Sequence, residues 1–330
     1  MSSSEPKIVF RSPLGPFMEQ FIQERRAIGY RYVTGAYQLR RFDRFLADEA
    51  PHDETLTRAP TRKWLARRPH ESGGAQQNRV GVVRQFAKFL LGQGQPAYVP
   101  ERALAAKRDN GFSPRVLTHA EVRRVLEATD RFTPTARSPY RHLVMPEVFR
   151  LLYGCGFRVG EVLKLRVADV DLHRGVVAVR DSKFRKDRLV PPAASLVRRL
   201  RTYDAALGVR PASAFFFPSH RGGPWASSSI HGLFQKLLFR SGIPHRGIGR
   251  GPRLHDLRHT FAVHALLRWY REGADLDARL PVLAAYLGHT SVLGTQRYLH
   301  LTAELFPEVT RRSDAAFGDV IPRRADHEAH

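Results

Sequence analysis

The stretch Leu287-Gly288-His289-Thr290-Ser291-Val292-Leu293-Gly294-Thr295-Gln296-Arg297-Tyr298 ends an apolar helical run with a glycine and a histidine. It sets a tyrosine nine residues beyond that histidine. A glycine just after the last apolar residue is a helix stop, because glycine enters the left-handed conformation without steric cost. Taken alone, His289 is a C-terminal cap favoured by the helix dipole, and Tyr298 is an amphipathic surface residue. A free phenol, with a pKa of about 10, is a poor nucleophile at neutral pH. What these two residues do therefore depends on what lies upstream.

Upstream stand three further segments. They are His255-Asp256-Leu257-Arg258-His259, a basic turn around Lys183, and Gly156-Phe157-Arg158-Val159-Gly160-Glu161. His255 and Arg258 are three residues apart and share a helix face. A guanidinium offers two parallel donors matched to two phosphate oxygens, which an ammonium does not. A lysine with its ordinary pKa near 10.4 is charged at neutral pH and can protonate a leaving oxygen.

Each residue also has a plainer reading. Arg158 pairs with Glu161; Lys183 belongs to a solvated basic loop in which Lys186 competes for any chemical role; His255 and His259 form an i,i+4 metal pair. The metal reading lacks the glutamate that zinc-protease helices set beside the first histidine, since Asp256 stands there, and no cysteine is near. No metal and no cofactor are expected.

Two arginines, two histidines, one lysine and one late tyrosine, in this order, resemble the tyrosine recombinases, also called the phage integrase family. The resemblance covers about residues 116–310. It implies six catalytic residues: Arg158, Lys183, His255, Arg258, His289 and Tyr298. Tyr298 would attack the scissile phosphate and form a 3′-phosphotyrosyl bond, and Arg158 and Arg258 would hold the transition state. Lys183 would protonate the departing 5′ oxygen, His255 would act as base, and His289 would hydrogen-bond the phosphate.

The implied function is a site-specific DNA recombinase or integrase that exchanges strands through a Holliday junction, for transposition or integration of a mobile element. The implied assembly is a homo-tetramer on double-stranded DNA, or one formed with a related recombinase, in which a C-terminal helix docks on a neighbour. A type IB topoisomerase-like enzyme and a DNA-binding regulator with an unused site are the competing readings. Ser182 and Phe184 stand where the family's turn carries glycines, and the segments 245–252 and 267–280 are longer than its pattern.

The bulk composition agrees with a polyanion partner. Lys and Arg number 54 against 31 acids, giving a net charge of +23. Such a field favours fast, salt-sensitive association with nucleic acid, and an anionic membrane surface is the weaker alternative. No apolar run approaches the roughly 18 residues of a spanning helix, and the first ten residues lack a signal-peptide layout. A single cysteine, Cys155, excludes an internal disulfide framework and suits a cytoplasmic protein.

The expected fold is mainly α with a small antiparallel β-sheet. Residues 1–100 read as a helical, DNA-clamping core-binding bundle, 101–115 as a basic linker, 116–312 as a catalytic domain and 313–330 as a C-terminal segment and tail. In the bundle, Phe17, Phe21, Ile22 and Ile28 mark one inward face. Leu39, Phe42, Phe45 and Leu46 mark a second. A short helix over 56–68 is interrupted by Pro60. The fourth, over 76–91, turns Val80, Val83, Ala87 and Leu90 inward and Arg79, Arg84 and Lys88 outward. Thr118 and Glu121 predict a capping box. Strands are expected over 176–180 and 187–190, and helices at about 193–207, 227–241, 255–272, 278–287 and 291–304.

Overall fold

The computed structural model describes residues 9–105, 114–180, 187–244, 251–289, 291 and 293–296. The chain divides into two compact units, residues 1–112 and 113–330.

Among the described residues of the first unit, four α-helices surround one apolar core: α1 (Gly15–Ala27), α2 (Val33–Glu49), α3 (Arg58–Leu65) and α4 (Gly73–Gly92). Met18, Phe21, Leu39, Phe42, Phe86 and Leu90 are buried in it, so the 3.6-residue spacing of apolar side chains fixes which faces turn inward. Two expectations fail here. Ile28 lies past the end of α1 and is 60% exposed, because Gly29 turns the chain away at φ 97°. Pro60 does not interrupt α3; it occupies the first turn, where its missing N–H has no helical acceptor to lose.

Arg79 is the third correction, since it points inward and is 2% exposed. Its guanidinium donates to the Trp64 carbonyl, to the Ala66 carbonyl at 3.0 Å and to the Glu71 carboxylate at 2.6 Å. The 64–71 segment thus supplies a complete set of acceptors, without which burying a guanidinium would be prohibitive.

The second unit opens with α5 (His119–Asp130), whose capping box forms as the sequence requires: Thr118 Oγ1 accepts from the Glu121 N–H at 3.1 Å, and Glu121 accepts from the Thr118 N–H at 2.9 Å. Then follow α6 (Arg141–Gly154) and the single turn α7 (Val159–Val162). The antiparallel sheet comprises β1 (Val170–Asp171), β2 (Val176–Val179) and β3 (Arg188–Val190), in the order β1-β2-β3. Val177 pairs with Val190 and Val179 with Arg188, so Arg188 and Val190 share one face of their strand.

The remaining helices are α8 (Ala194–Leu207), α9 (Ser227–Arg240), α10 (Asp256–Arg271), α11 (Leu276–Leu287) and the short α12 (Leu293–Gln296). They match the expected helices in place and order; the rest of the last one, 297–304, lies outside the described residues, as does the turn 181–186. The long segment 267–280 is the end of α10, a tight turn through Gly273 at φ 72°, and the start of α11 capped by Asp275. The main core gathers Val148, Phe149, Phe216, Phe217, Phe234 and Leu237, and a smaller cluster joins α10 to α11 through Val263, Leu266, Leu283 and Leu287. Cys155 is buried in the main core, and that burial pushes its thiol up to about 12, so it is an inert core side chain. Among the described residues no helix is long and apolar enough to cross a membrane.

Candidate active site

The site is built where two tight turns meet. One follows α6, where Gly156 adopts φ +60°. A Cβ there would stand 2.7 Å from both Leu287 Cδ2 and Phe261 Cδ1, so glycine is required for α10, α11 and this turn to close together. The other ends α11, where Gly288 caps the helix in the left-handed conformation at φ 70°. Its N–H and that of His289 donate to the Ala285 and Ala284 carbonyls at 3.0 and 2.9 Å, the αL-type stop foreseen from Leu287-Gly288.

Arg258, on the first turn of α10, ties the two turns together. It is 1% exposed and donates through Nη1 to the Gly156 carbonyl at 2.7 Å and through Nη2 to the Leu287 carbonyl at 2.6 Å. A guanidinium held this way keeps a strong field, because little water is present to screen it. Arg158, which precedes α7, approaches the same place: its Nη2 is 3.4 Å from the Gly288 carbonyl and its Nη1 donates to Glu161 at 2.8 Å. The Arg158–Glu161 ion pair therefore does form, and the arginine side chain still keeps 28% of its surface open.

The histidines complete the cluster. His289 is half-buried and its Nδ1 lies 2.8 Å from Thr295 Oγ1 on α12. Desolvation first, then the guanidinia of Arg258 and Arg158, hold its imidazole down to about 4. His255 stands directly before α10 with one side open to solvent. Desolvation of the other side, followed by Arg258 and Arg158, holds it at about 4 as well. Both rings are thus neutral at pH 7. Four of the six sequence-derived residues, Arg158, His255, Arg258 and His289, come together here. Lys183, its competitor Lys186 and Tyr298 lie outside the described residues.

Sequence reasoning missed one residue of the cluster, Arg188. From β3 it grips both oxygens of Glu161 at 3.0 and 2.8 Å and donates through Nε to the Tyr286 carbonyl at 3.0 Å. The available signal was strand alternation, which sets Arg188 on the same face as the buried Val190. Around Glu161 the two arginines outweigh the cost of burial, and its carboxyl is held below the usual carboxylate range. Among the described residues no group of three or more His, Cys, Asp or Glu could hold a metal ion.

A depressed histidine makes stability pH-dependent with a definite sign. His255, His289 and His264, the last stacked on His119 at 3.7 Å, all sit near 4, where the unfolded chain has about 6.5. Between those values the unfolded chain binds more protons, so folding stability is full above about pH 6.5 and is lost as pH falls toward 4. The melting temperature of the DNA-free protein should fall steadily between pH 7 and pH 5, a window in which ordinary carboxylates hardly titrate. A flat melting temperature there would contradict the electrostatics of this cluster.

Two guanidinia and two neutral imidazoles thus surround one glycine turn. The phage integrase family profile matches residues 115–304. A putative integrase/recombinase, y4rE of Sinorhizobium fredii (strain NBRC 101917 / NGR234), is 35% identical over 91% of this chain and 96% of its own length. Two solved structures share the fold. A XerH site-specific recombinase bound to palindromic difH substrate has a TM-score of 0.62 at 18% identity, covering 91% of this chain and 83% of its own. An integrase of the Tn1549 transposon in complex with transposon right end DNA has a TM-score of 0.62 at 16% identity, covering 92% and 98%. The chain belongs to the phage integrase family, the tyrosine recombinases, and is an enzyme of site-specific DNA recombination.

Proposed function

We propose that this chain cuts and rejoins double-stranded DNA for a mobile element through a covalent 3′-phosphotyrosyl intermediate. Tyr298 Oη attacks the scissile phosphorus, its proton passes to His255, and the bond from phosphorus to the 5′ oxygen breaks. Lys183 gives the departing oxygen a proton. A 5′ hydroxyl from a second duplex then reverses the step, so the energy of the phosphodiester is conserved in the link and no nucleotide is consumed. Arg158 and Arg258 neutralise the equatorial oxygens, and His289 hydrogen-bonds one of them.

The observation that carries this reading is the convergence of Arg158, Arg258, His255 and His289 on the Leu287–His289 turn. The net charge of +23 supports a DNA partner. The test is covalent trapping on nicked DNA that carries a candidate site, in the presence of EDTA. A detergent-resistant protein–DNA adduct is expected. DNA binding without an adduct would favour a regulator with an unused site.

Assembly as a homo-tetramer, or with a related recombinase, belongs to the same proposal. The catalytic unit has a cavity of about 600 Å³ lined by Tyr153, Phe261, Trp269, Leu283 and Tyr286, a socket suited to an apolar segment. The sequence after Tyr298 supplies Leu301, Leu305, Phe306, Val309 and Phe317. Removing the chain from Phe306 onward should weaken synapsis of two DNA sites more than binding to one, as gel-shift titration of single and paired complexes would show. Equal loss of both would count against docking between protomers.

A further inference from the structure

Arg188 has no role in the chemistry described so far, yet it is tied into the site more tightly than Arg158. Its side chain is 9% exposed and spans three pieces of backbone. It starts on β3, where its residue pairs with Val179. Its Nε is held by the carbonyl of Tyr286, near the end of α11. Both terminal nitrogens are received by the two oxygens of Glu161, the bidentate geometry that only a guanidinium makes. The other side of Glu161 receives Arg158, through Nη1 at 2.8 Å on one oxygen and the backbone N–H at 2.9 Å on the other. The Arg188 guanidinium also fills the space over Gly288: a Cβ there would stand 2.9 Å from its Nη1 and 3.1 Å from its Cζ. Gly288 is therefore required twice, for its positive φ and for the passage of this side chain.

We infer that Arg188 is a positioning residue for DNA cleavage: by gripping Glu161 at two points against the end of α11, it aims the Arg158 guanidinium at the scissile phosphate. Glu161 alone is one acidic group shared by two cations. Without Arg188 the carboxylate keeps only its bonds to Arg158, and the pair loses its anchor on the Tyr286 carbonyl. With Arg188 in place, Glu161 is immobilised on the same turn that carries His289, and Arg158 is presented in one orientation. Misplacement of a transition-state partner by an ångström costs on the order of 10²-fold in rate.

The inference rests on the function proposed above, so the experiment separates the two. Single-turnover cleavage is measured on nicked DNA with either an ordinary scissile phosphodiester or a methylphosphonate, which lacks the negative non-bridging oxygen. An arginine that works by neutralising that charge becomes dispensable on the methylphosphonate. Wild type, Arg158→Ala, Arg188→Lys, Arg188→Gln and the double variant Arg158→Ala/Arg188→Lys are compared, with rates taken per DNA-binding-competent protein. Lysine keeps the charge but not the two-point grip.

Both Arg188 variants should lose about 10- to 100-fold on the phosphodiester and regain most of it on the methylphosphonate, as Arg158→Ala does. In the double variant Arg188→Lys should add no further loss. A loss of equal size on the two substrates, or none on the phosphodiester, would overturn the role of Arg188 and leave it a structural ion pair. If instead Arg158→Ala itself loses equally on both substrates, the reading of the whole site fails, and that pattern is visible in the same data set.

Discussion

Arg258→Ala is expected to lower the rate of covalent adduct formation by about 10²–10³-fold, the usual cost of deleting one preorganised donor at a developing anionic centre. The effect should be at the high end because this guanidinium serves twice. In the proposed mechanism it neutralises the developing charge, and in the fold it joins the Gly156 and Leu287 carbonyls that bring α10 and α11 to the Gly156 turn. Alanine leaves both carbonyls without their charged donor inside a closed core, which costs about 2 kcal/mol of stability in addition. Arg258→Lys separates the two effects. It restores charge but reaches one carbonyl at a time, so the protein should melt between the alanine variant and wild type while cleavage stays depressed by about 10²-fold. Single-turnover trapping together with thermal melts checks this. A lysine variant with wild-type cleavage would show that the site needs only a cation there.

Tyr298→Phe should bind DNA as wild type does and form no adduct at all. The substitution removes one oxygen and leaves the ring, so a change in binding is not anticipated, whereas the proposed covalent bond has no other atom from which to form. The activation needed is large, since a phenol with a pKa of about 10 must give up its proton near neutral pH. In the proposed step His255 takes that proton and the two guanidinia at the Leu287–His289 turn supply the field. The comparison is made in EDTA on the same nicked DNA. An adduct that persists in the phenylalanine variant would assign the nucleophile to a different residue.

The sequence on its own determined the helices and strands, because these depend on short-range spacing, and it nominated four of the residues that meet in the cluster. Apolar repeats set α2 and α4, Thr118 and Glu121 set the capping box, Leu287-Gly288 set the end of α11, and valine-rich runs around a basic turn set the sheet. Arg158, His255, Arg258 and His289 were nameable because their types and order follow the chemistry of phosphoryl transfer and the family resemblance. Spacing cannot say which charged side chains become buried. Arg79 falls on the polar face of its helix pattern and is inside, because a segment outside its helix, 64–71, supplies its acceptors.

Arg188 reads as one more basic residue among 54 Lys and Arg and proves to be a clamp. Its partners, Glu161 and Tyr286, are 27 and 98 residues away along the chain. The depressed pKa of His255 and His289 has the same origin, since it arises from burial first and then from nearby guanidinia, both of which only folding brings about. Burial, fields and shared partners are properties of three-dimensional packing. Tertiary structure alone decided how the residues that the sequence nominated are held and charged.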